Sequence, residues 1–125
     1  MVYASEDRGL AEKLYSHLEK QWEVWWDDKI VGPFSATIEA EIPRSKCMVM
    51  LLSKFSRGKD TVLDEVRIAK EHKIKILMAR IDEVKAGYPF GGYSYCDMVD
   101  WEGESDHSGF EQLQRRVASV VSPRM

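Results

Sequence analysis

The chain has 125 residues, of which 44% are hydrophobic and 31% charged, with a formal net charge of −3. These values are typical of one globular domain that buries its core without metals or disulfides. The acidic balance argues against nucleic-acid binding, because that affinity depends on a basic face. The longest apolar run, CMVMLL at 47–52, has only the length of a strand. We therefore expect no membrane segment and no signal peptide.

The sulfur and imidazole side chains form no recognisable metal or redox motif. Cys47 and Cys96 are far apart in the sequence, and His17, His72 and His107 are scattered. Two unpaired thiols suit a reducing compartment, so we expect a cytoplasmic protein with no bound metal. Cys47 is interpreted as a small core residue.

Strand-like and helix-like segments alternate through the first half of the chain. Residues 1–5 (MVYAS) predict a short first strand, and Asp7 predicts the N-cap of a helix over 9–20. The aromatic and β-branched segment WEVWW at 22–26 predicts a second strand. The turn-rich segment DDKIVGP at 27–33 predicts a loop after this strand.

The middle of the chain continues this alternation. A helix is predicted over 34–42, where Pro43 stops it. The segment KCMVMLLS at 46–53 is apolar on both faces, which is typical of a central parallel strand. A helix that contains Glu65 follows, and KIKILMARI at 73–81 predicts a fourth strand.

The last third contains an irregular segment, a short strand and a final helix. Residues 82–95 carry too many Gly, Pro and Tyr for a regular element, and 97–101 (DMVDW) predict a short fifth strand. Ser108 and Glu111 predict a capping box. The final helix is predicted to be lined by Phe110, Leu113, Val117 and Val120.

Such alternation predicts an α/β fold with helices on both faces of a parallel sheet. Five strands suit a flavodoxin-like three-layer domain with the order 2-1-3-4-5, which binds ligands beyond the carboxyl ends of strands one and three. We expect a crevice walled by YASED (3–7) and SKFSRGKD (53–60), with DDKIVGPF (27–34) above it.

Glu65 is the acid of greatest interest beside this crevice. On a helical wheel Val62, Val66 and Ala69 share the stripe that faces the sheet, and Asp64 falls near the opposite side. Glu65 falls at the border of the stripe, so we expect it to be half withdrawn from water and to lean into the crevice. The alternative is an exposed helix acid paired with a lysine, which is the common arrangement for a glutamate.

Other chemistries lack their motifs. The chain has no G-x-G-x-x-G segment after the first strand, no P-loop and no G-x-S-x-G elbow. The third strand ends in Ser53 and Lys54, where a phosphate-accepting receiver domain would need an aspartate.

Three segments in order resemble the Toll/interleukin-1 receptor (TIR) domain in its bacterial form. They are VYASEDRGLAEKL (2–14), WEVWWDDKIVGPF (22–34) and IEAEIPRSKCMVMLLS (38–53). The resemblance covers essentially the whole chain, so residues 1–125 are expected to form a single TIR domain, excised from a longer multidomain protein.

The resemblance implies one of two activities. Many TIR domains cleave NAD⁺ at the nicotinamide–ribose bond and release nicotinamide with ADP-ribose or a cyclised product, whereas others are adaptor modules that only bind further TIR domains. In the enzymes the glutamate of a W-V-x-x-E segment is catalytic. Here that segment reads TVLDE, which assigns the role to Glu65 and puts Thr61 in the position of the tryptophan. NAD⁺ is then the substrate, and no cofactor is needed.

The resemblance also implies substrate-binding positions, each with a plainer alternative. At the end of the first strand, Tyr3, Ala4 and Ser5 are expected to contact ribose or phosphate. Arg8 is the candidate for the pyrophosphate, or else an ordinary surface arginine.

Further positions follow strands two and three. Phe34 is expected to stack on nicotinamide or adenine, or to be a core residue of the second helix. Trp26 and Asp27 match an aromatic residue and an acid of the family, or provide sheet packing and a turn acid. Ser53 is expected at the mouth of the crevice, or merely satisfies loop backbone.

Self-assembly is the last implication of the resemblance. TIR enzymes typically act when the BB loop of one copy closes the site of its neighbour; here that loop comprises Lys29, Ile30, Val31, Gly32 and Pro33. The expected partners are NAD⁺, other TIR domains and a fused sensor domain, in the setting of bacterial antiviral defence. A small-molecule binder without turnover is a more remote alternative.

Overall fold

The computed structural model describes residues 1–24, 45–83 and 95–122. The helices in this part of the chain are α1 (Arg8–Leu18), α2 (Asp60–Glu71) and α3 (Ser108–Val120). The strands are β1 (Cys47–Leu52), β2 (Lys75–Arg80) and β3 (Tyr95–Asp97). Two short 3-10 turns cover Ser5–Asp7 and Ser56–Gly58.

The strands form a parallel sheet in the order β1-β2-β3. The first segment of the chain runs parallel to β1 and joins it through a single bridge between Val2 and Met50. In this bridge Val2 N donates to Val49 O at 2.8 Å, and Leu51 N donates to Val2 O at 2.9 Å. The predicted first strand is therefore reduced to one bridge, while the parallel α/β architecture is confirmed. Residues 25–44 lie outside the described residues. They contain the predicted BB loop and second helix, and the predicted second strand extends into them.

Two apolar layers sandwich the sheet because side chains alternate along β1. Val49 and Leu51 face the core formed with α1 and α3, whereas Met50 and Leu52 face the core formed with α2. Burial on both faces confirms the prediction that this strand is covered on each side of the sheet. In the described sheet β2 is the middle strand, and β1 has only the Val2 bridge on its other side. None of the helices described here is long and apolar enough to cross a bilayer.

Helix α2 follows its predicted apolar stripe. Val62, Val66 and Ala69 are all buried against the sheet. The helix ends at Glu71, and Lys73 then adopts a positive φ of 57° before β2 begins. The predicted fourth strand, 73–81, is shorter at both ends, since β2 covers Lys75–Arg80. Its later start follows from the left-handed Lys73, which turns the chain from helix to strand.

The cap of α1 lies at the predicted residue, whereas that of α3 does not. Asp7 occupies the N-cap position of α1, but its side chain makes no capping hydrogen bond. The capping box predicted at Ser108 is wrong, because the N-cap of α3 is His107, whose Nδ1 accepts from Gly109 N at 3.1 Å. Ser108 is the first helical residue instead.

The short strand predicted at 97–101 lies two residues earlier and is shorter, since β3 covers Tyr95–Asp97. The apolar residues that suggested it, Met98 and Trp101, are buried for another reason. Trp101 stacks on Phe110 of α3, with ring centroids 5.5 Å apart. At the far end of α3, Val120 is exposed, in contrast to its predicted place on the core face.

Candidate functional site

The carboxyl ends of the strands carry a buried hydrogen-bonded turn. Ser53 directly follows β1 and is fully buried. Its Oγ donates to Asp7 Oδ2 at 2.5 Å and accepts from the backbone nitrogens of Phe55 and Ser56, each at 3.1 Å. Ser56 is equally buried; its Oγ donates to Leu51 O at 2.8 Å and accepts from Ser53 N at 2.8 Å. The two hydroxyls therefore close the loop between β1 and α2.

An exposed ion pair joins the same two segments. The Lys59 ammonium pairs with Glu6 and lies 3.4 Å from Ser5 Oγ. The side chains of Lys59 and Glu6 are 34% and 42% exposed, so the pair contributes little to stability. It nevertheless shows that the start of α2 lies against the turn that precedes α1.

Asp82 brings a second carboxylate to this edge, two residues after the end of β2. Its Oδ2 accepts from Lys54 N at 2.8 Å, and its buried Oδ1 makes no hydrogen bond in the part of the chain that the structure describes. Burial raises the pKa of Asp7 above its ordinary value. The Ser53 hydrogen bond opposes this rise, while the charges of Asp82 and Glu6 add to it.

Glu65 lies in a different place from the one predicted. It is only 7% exposed. It lines a cavity of about 20 Å³ together with Met1, Val2, Ser45, Cys47, Met48 and Ile74. All six belong to the amino ends of the first segment, β1 and β2. The prediction that Glu65 leans into a crevice at the carboxyl ends is therefore wrong.

The direction of α2 explains this placement. The helix starts at the carboxyl edge and runs back along the sheet towards the amino edge. Glu65 comes five residues after Asp60, which is roughly 7.5 Å further along the helix axis. The carboxylate has by then left the edge at which the helix begins, whereas Ser5, Arg8 and Ser53 remain there.

The surroundings of Glu65 differ from those of the other acids of α2. Asp64 and Glu71 have side chains that are 70% and 57% exposed, and both pair with Arg67. Among the described residues, Glu65 is the only Asp, Glu, Lys or Arg that is buried. The alternative of an exposed helix acid is thus contradicted. A carboxylate enclosed beside a cavity is a candidate for function.

Cys47 shares this cavity. Its thiol is partly buried, and burial raises its pKa, with the chain's amino terminus acting in the opposite direction. Cys96 is fully buried. In the described part of the chain, no group of three His, Cys, Asp or Glu side chains is arranged to hold a metal ion.

The remaining predicted site residues are dispersed. Ala4 is fully buried and Tyr3 packs against the core of α1 and α3. Ser5 is exposed at the carboxyl edge. Arg8 is also exposed and pairs with Glu12 at 3.3 Å within α1. Thr61 lies in the first turn of α2.

Other predicted positions fall outside the described residues. They are Trp26, Asp27, Phe34 and the BB-loop residues 29–33.

Two residues at the carboxyl edge were not predicted. Ser56 follows Ser53 at the spacing of a serine turn, which is a visible signal, whereas Asp82 has none beyond its position after a strand.

A comparison with protein families identifies the chain. The family model described as TIR domain matches residues 1–114. No curated protein matches the sequence. Among the described elements, the matched range includes β1, β2, β3, α1 and α2, and α3 as far as Gln114. The chain therefore belongs to the TIR domain family.

Proposed function

We propose that this TIR domain cleaves NAD⁺ between nicotinamide and ribose, with Glu65 as the catalytic residue. The observation that carries the proposal is the burial of this single carboxylate, 7% exposed, beside a cavity. A carboxylate that served only solubility would lie on the outer face of α2, as Asp64 does.

The chemistry needs only one such group. The bond between ribose C1′ and the nicotinamide nitrogen breaks, and its electron pair leaves with nicotinamide, which departs as a neutral molecule without a general acid. The positive charge left on the ribose is stabilised by the carboxylate of Glu65, which is most effective in a site shielded from water. Most glycosidases instead use two carboxylates. Water then captures the ribosyl cation and gives ADP-ribose and a proton, or an adenine nitrogen captures it and gives a cyclic product.

The size of the cavity argues for assembly. A volume of about 20 Å³ admits a water-sized group, whereas pockets for drug-sized ligands have volumes of roughly 300–1,000 Å³. The proposal therefore requires the site to open and to be completed, either by residues outside the described ranges or by a second copy. On this basis the BB loop, 29–33, closes the site of a neighbouring molecule, and a fused sensor domain drives assembly during antiviral defence in the cytoplasm.

A non-catalytic TIR–TIR interaction module is the second candidate. Two observations favour it: the small volume beside Glu65, and the distance between Glu65 and the predicted substrate contacts at the carboxyl edge. In such a module the same loop would serve as a docking surface.

One experiment separates these functions. Nicotinamide release from NAD⁺ is measured over a wide range of protein concentrations for the parent chain, Glu65→Gln and Glu71→Gln. Glu71 is the matched control, because it lies on the same helix and is exposed. We expect turnover per molecule to rise with concentration, to fall by about 10²-fold or more in Glu65→Gln, and to persist in Glu71→Gln. Turnover that survives in Glu65→Gln overturns the site, and a parent chain without turnover under assembling conditions favours the interaction module.

A further inference from the structure

The hydroxyl of Ser53 has no capacity left for a ligand. A serine hydroxyl offers one donor hydrogen and two acceptor lone pairs. The hydrogen goes to Asp7 Oδ2 at 2.5 Å, and the backbone nitrogens of Phe55 and Ser56 take both acceptor positions. Ser56 Oγ lies 3.4 Å from Ser53 Oγ, but the hydroxyl hydrogen of Ser56 goes to Leu51 O at 2.8 Å. A substrate could bind Ser53 only by displacing one of these partners.

The bond from Ser53 to Asp7 joins two segments that both reach Glu65. One is the loop from β1 into α2, the helix that carries Glu65. The other is the first segment of the chain, whose opposite end supplies Met1 and Val2 to the wall of the Glu65 cavity. The bond therefore fixes the ends of the two elements that enclose the carboxylate.

Two further contacts of these segments, among the described residues, differ from the Ser53–Asp7 bond. The Lys59–Glu6 pair is exposed to solvent, where such pairs contribute little. The Val2 bridge attaches the first segment to β1 but does not attach it to α2. The serine hydroxyl, by contrast, is fully buried, and its acceptor is a carboxylate, which makes the hydrogen bond charge-assisted.

We infer that Ser53 is a positioning residue, which sets the cavity around Glu65 by holding Asp7, and that it does not contact substrate. The catalytic part of this inference rests on the proposed function; the structural part stands without it. Ser53→Ala removes the hydroxyl that the Asp7 carboxylate and the backbone N–H groups of Phe55 and Ser56 bond, so the first segment is expected to loosen at its far end as well.

Cys47 reports on this far end without any need for catalysis. Its thiol lines the Glu65 cavity with Met1, on the order of 20 Å along β1 from Ser53. Cys96, which is fully buried, serves as an internal reference. The rate of alkylation of each thiol by iodoacetamide is measured in the folded protein, well below its melting temperature.

The variants are Ser53→Ala, Asp7→Ala, Asp7→Asn and Ser119→Ala. Asp7→Asn keeps an acceptor oxygen for Ser53 and is the conservative rescue. Ser119→Ala removes a hydroxyl that donates to Arg116 O within α3, at 2.6 Å, and is the matched control. We expect Cys47 to react severalfold faster in Ser53→Ala and Asp7→Ala, and at the parent rate in Asp7→Asn and Ser119→Ala. An unchanged Cys47 rate in Ser53→Ala overturns the inference.

Kinetics test the same inference in the enzyme. A positioning role predicts that Ser53→Ala and Asp7→Ala lower kcat for nicotinamide release severalfold while KM stays near the parent value, with recovery in Asp7→Asn. A KM that rises severalfold at unchanged kcat would instead make Ser53 a substrate contact. If the parent chain releases no nicotinamide, the proposed function is wrong, but the structural part of the inference is not affected. The Cys47 rates then decide whether Ser53 positions the cavity.

Discussion

Asp64 and Glu65 are neighbours on α2 and lie in opposite environments: the Asp64 side chain is 70% exposed beside Arg67, whereas Glu65 is 7% exposed beside the amino end of β1. A rotation of 100° along the helix is sufficient to separate them. The same one-residue step distinguishes an acid that interacts with solvent from one that the fold encloses.

This difference predicts unequal effects on stability. Glu65→Ala removes buried methylene groups, and it leaves the groups that contact the carboxylate without it. The free energy of unfolding should therefore fall by about 1–3 kcal/mol. Asp64→Ala removes an exposed group and should change it by less than about 0.5 kcal/mol. Urea unfolding of the two variants measures both values. Equal effects would show that Glu65 is not enclosed in solution.

The charge of Asp7 predicts a specific pH dependence. The pKa of this carboxyl is raised in the folded chain, first because of burial and further because of Asp82 and Glu6, although Ser53 opposes the change. The folded state therefore binds the proton more tightly than the unfolded chain. The stability from Asp7 is present below its ordinary pKa of 3.8 and is lost as the pH rises through its raised value.

Asp7→Asn isolates this contribution, because an amide resembles the neutral carboxyl and still accepts from Ser53. We expect the variant to be more stable than the parent at pH 7, with an advantage that narrows as the pH falls towards 4. Thermal unfolding of both proteins across this range measures the difference. Glu6 and Asp100 act in the opposite direction, because Lys59 and His107 lower their pKa values, but both acids are present in both proteins. An advantage that grows with acidity would contradict the assignment.

Two glycines of the helices predict opposite responses to the same substitution. A Cβ on Gly109 would lie 1.9 Å from Asp97 O, because the first turn of α3 packs directly on the end of β3. Gly109→Ala should therefore lower the free energy of unfolding by about 1–3 kcal/mol or more. A Cβ on Gly9 in α1 would meet no atom within 4 Å, so Gly9→Ala should raise it by roughly 0.5–1 kcal/mol. Denaturant titrations of the pair test both signs.

The start of α3 predicts which of two adjacent residues caps the helix. His107 caps Gly109 N through Nδ1, and its other ring nitrogen, Nε2, bonds Asp100 Oδ1 at 2.5 Å. His107→Ala should cost about 0.5–2 kcal/mol, as the loss of an N-cap usually does. Ser108→Ala should be nearly neutral, although the sequence suggests a capping box at this position. A larger loss of unfolding free energy in Ser108→Ala than in His107→Ala would support the capping box at Ser108 instead.

Hydrophobic periodicity determined much of the fold from the sequence alone. The run CMVMLL indicated a strand buried on both faces, and the stripe of Val62, Val66 and Ala69 fixed the inner face of α2. These patterns are local, because each records which side of one element avoids water. The order of three motifs was enough to indicate the TIR family, which the family model confirms.

Tertiary structure decided what no local pattern contains. Met98 and Trp101 resembled a strand, but their burial comes from packing with α1 and α3. Asp7 was predicted to cap a helix, yet its carboxylate accepts a hydrogen bond from Ser53, 46 residues away in the sequence. Glu65 belonged to a helix that starts at one edge of the sheet, and only the length and direction of that helix placed its carboxylate towards the other edge. Periodicity reports the face of an element, whereas a site depends on how far along the element a residue lies and on which distant segment meets it there.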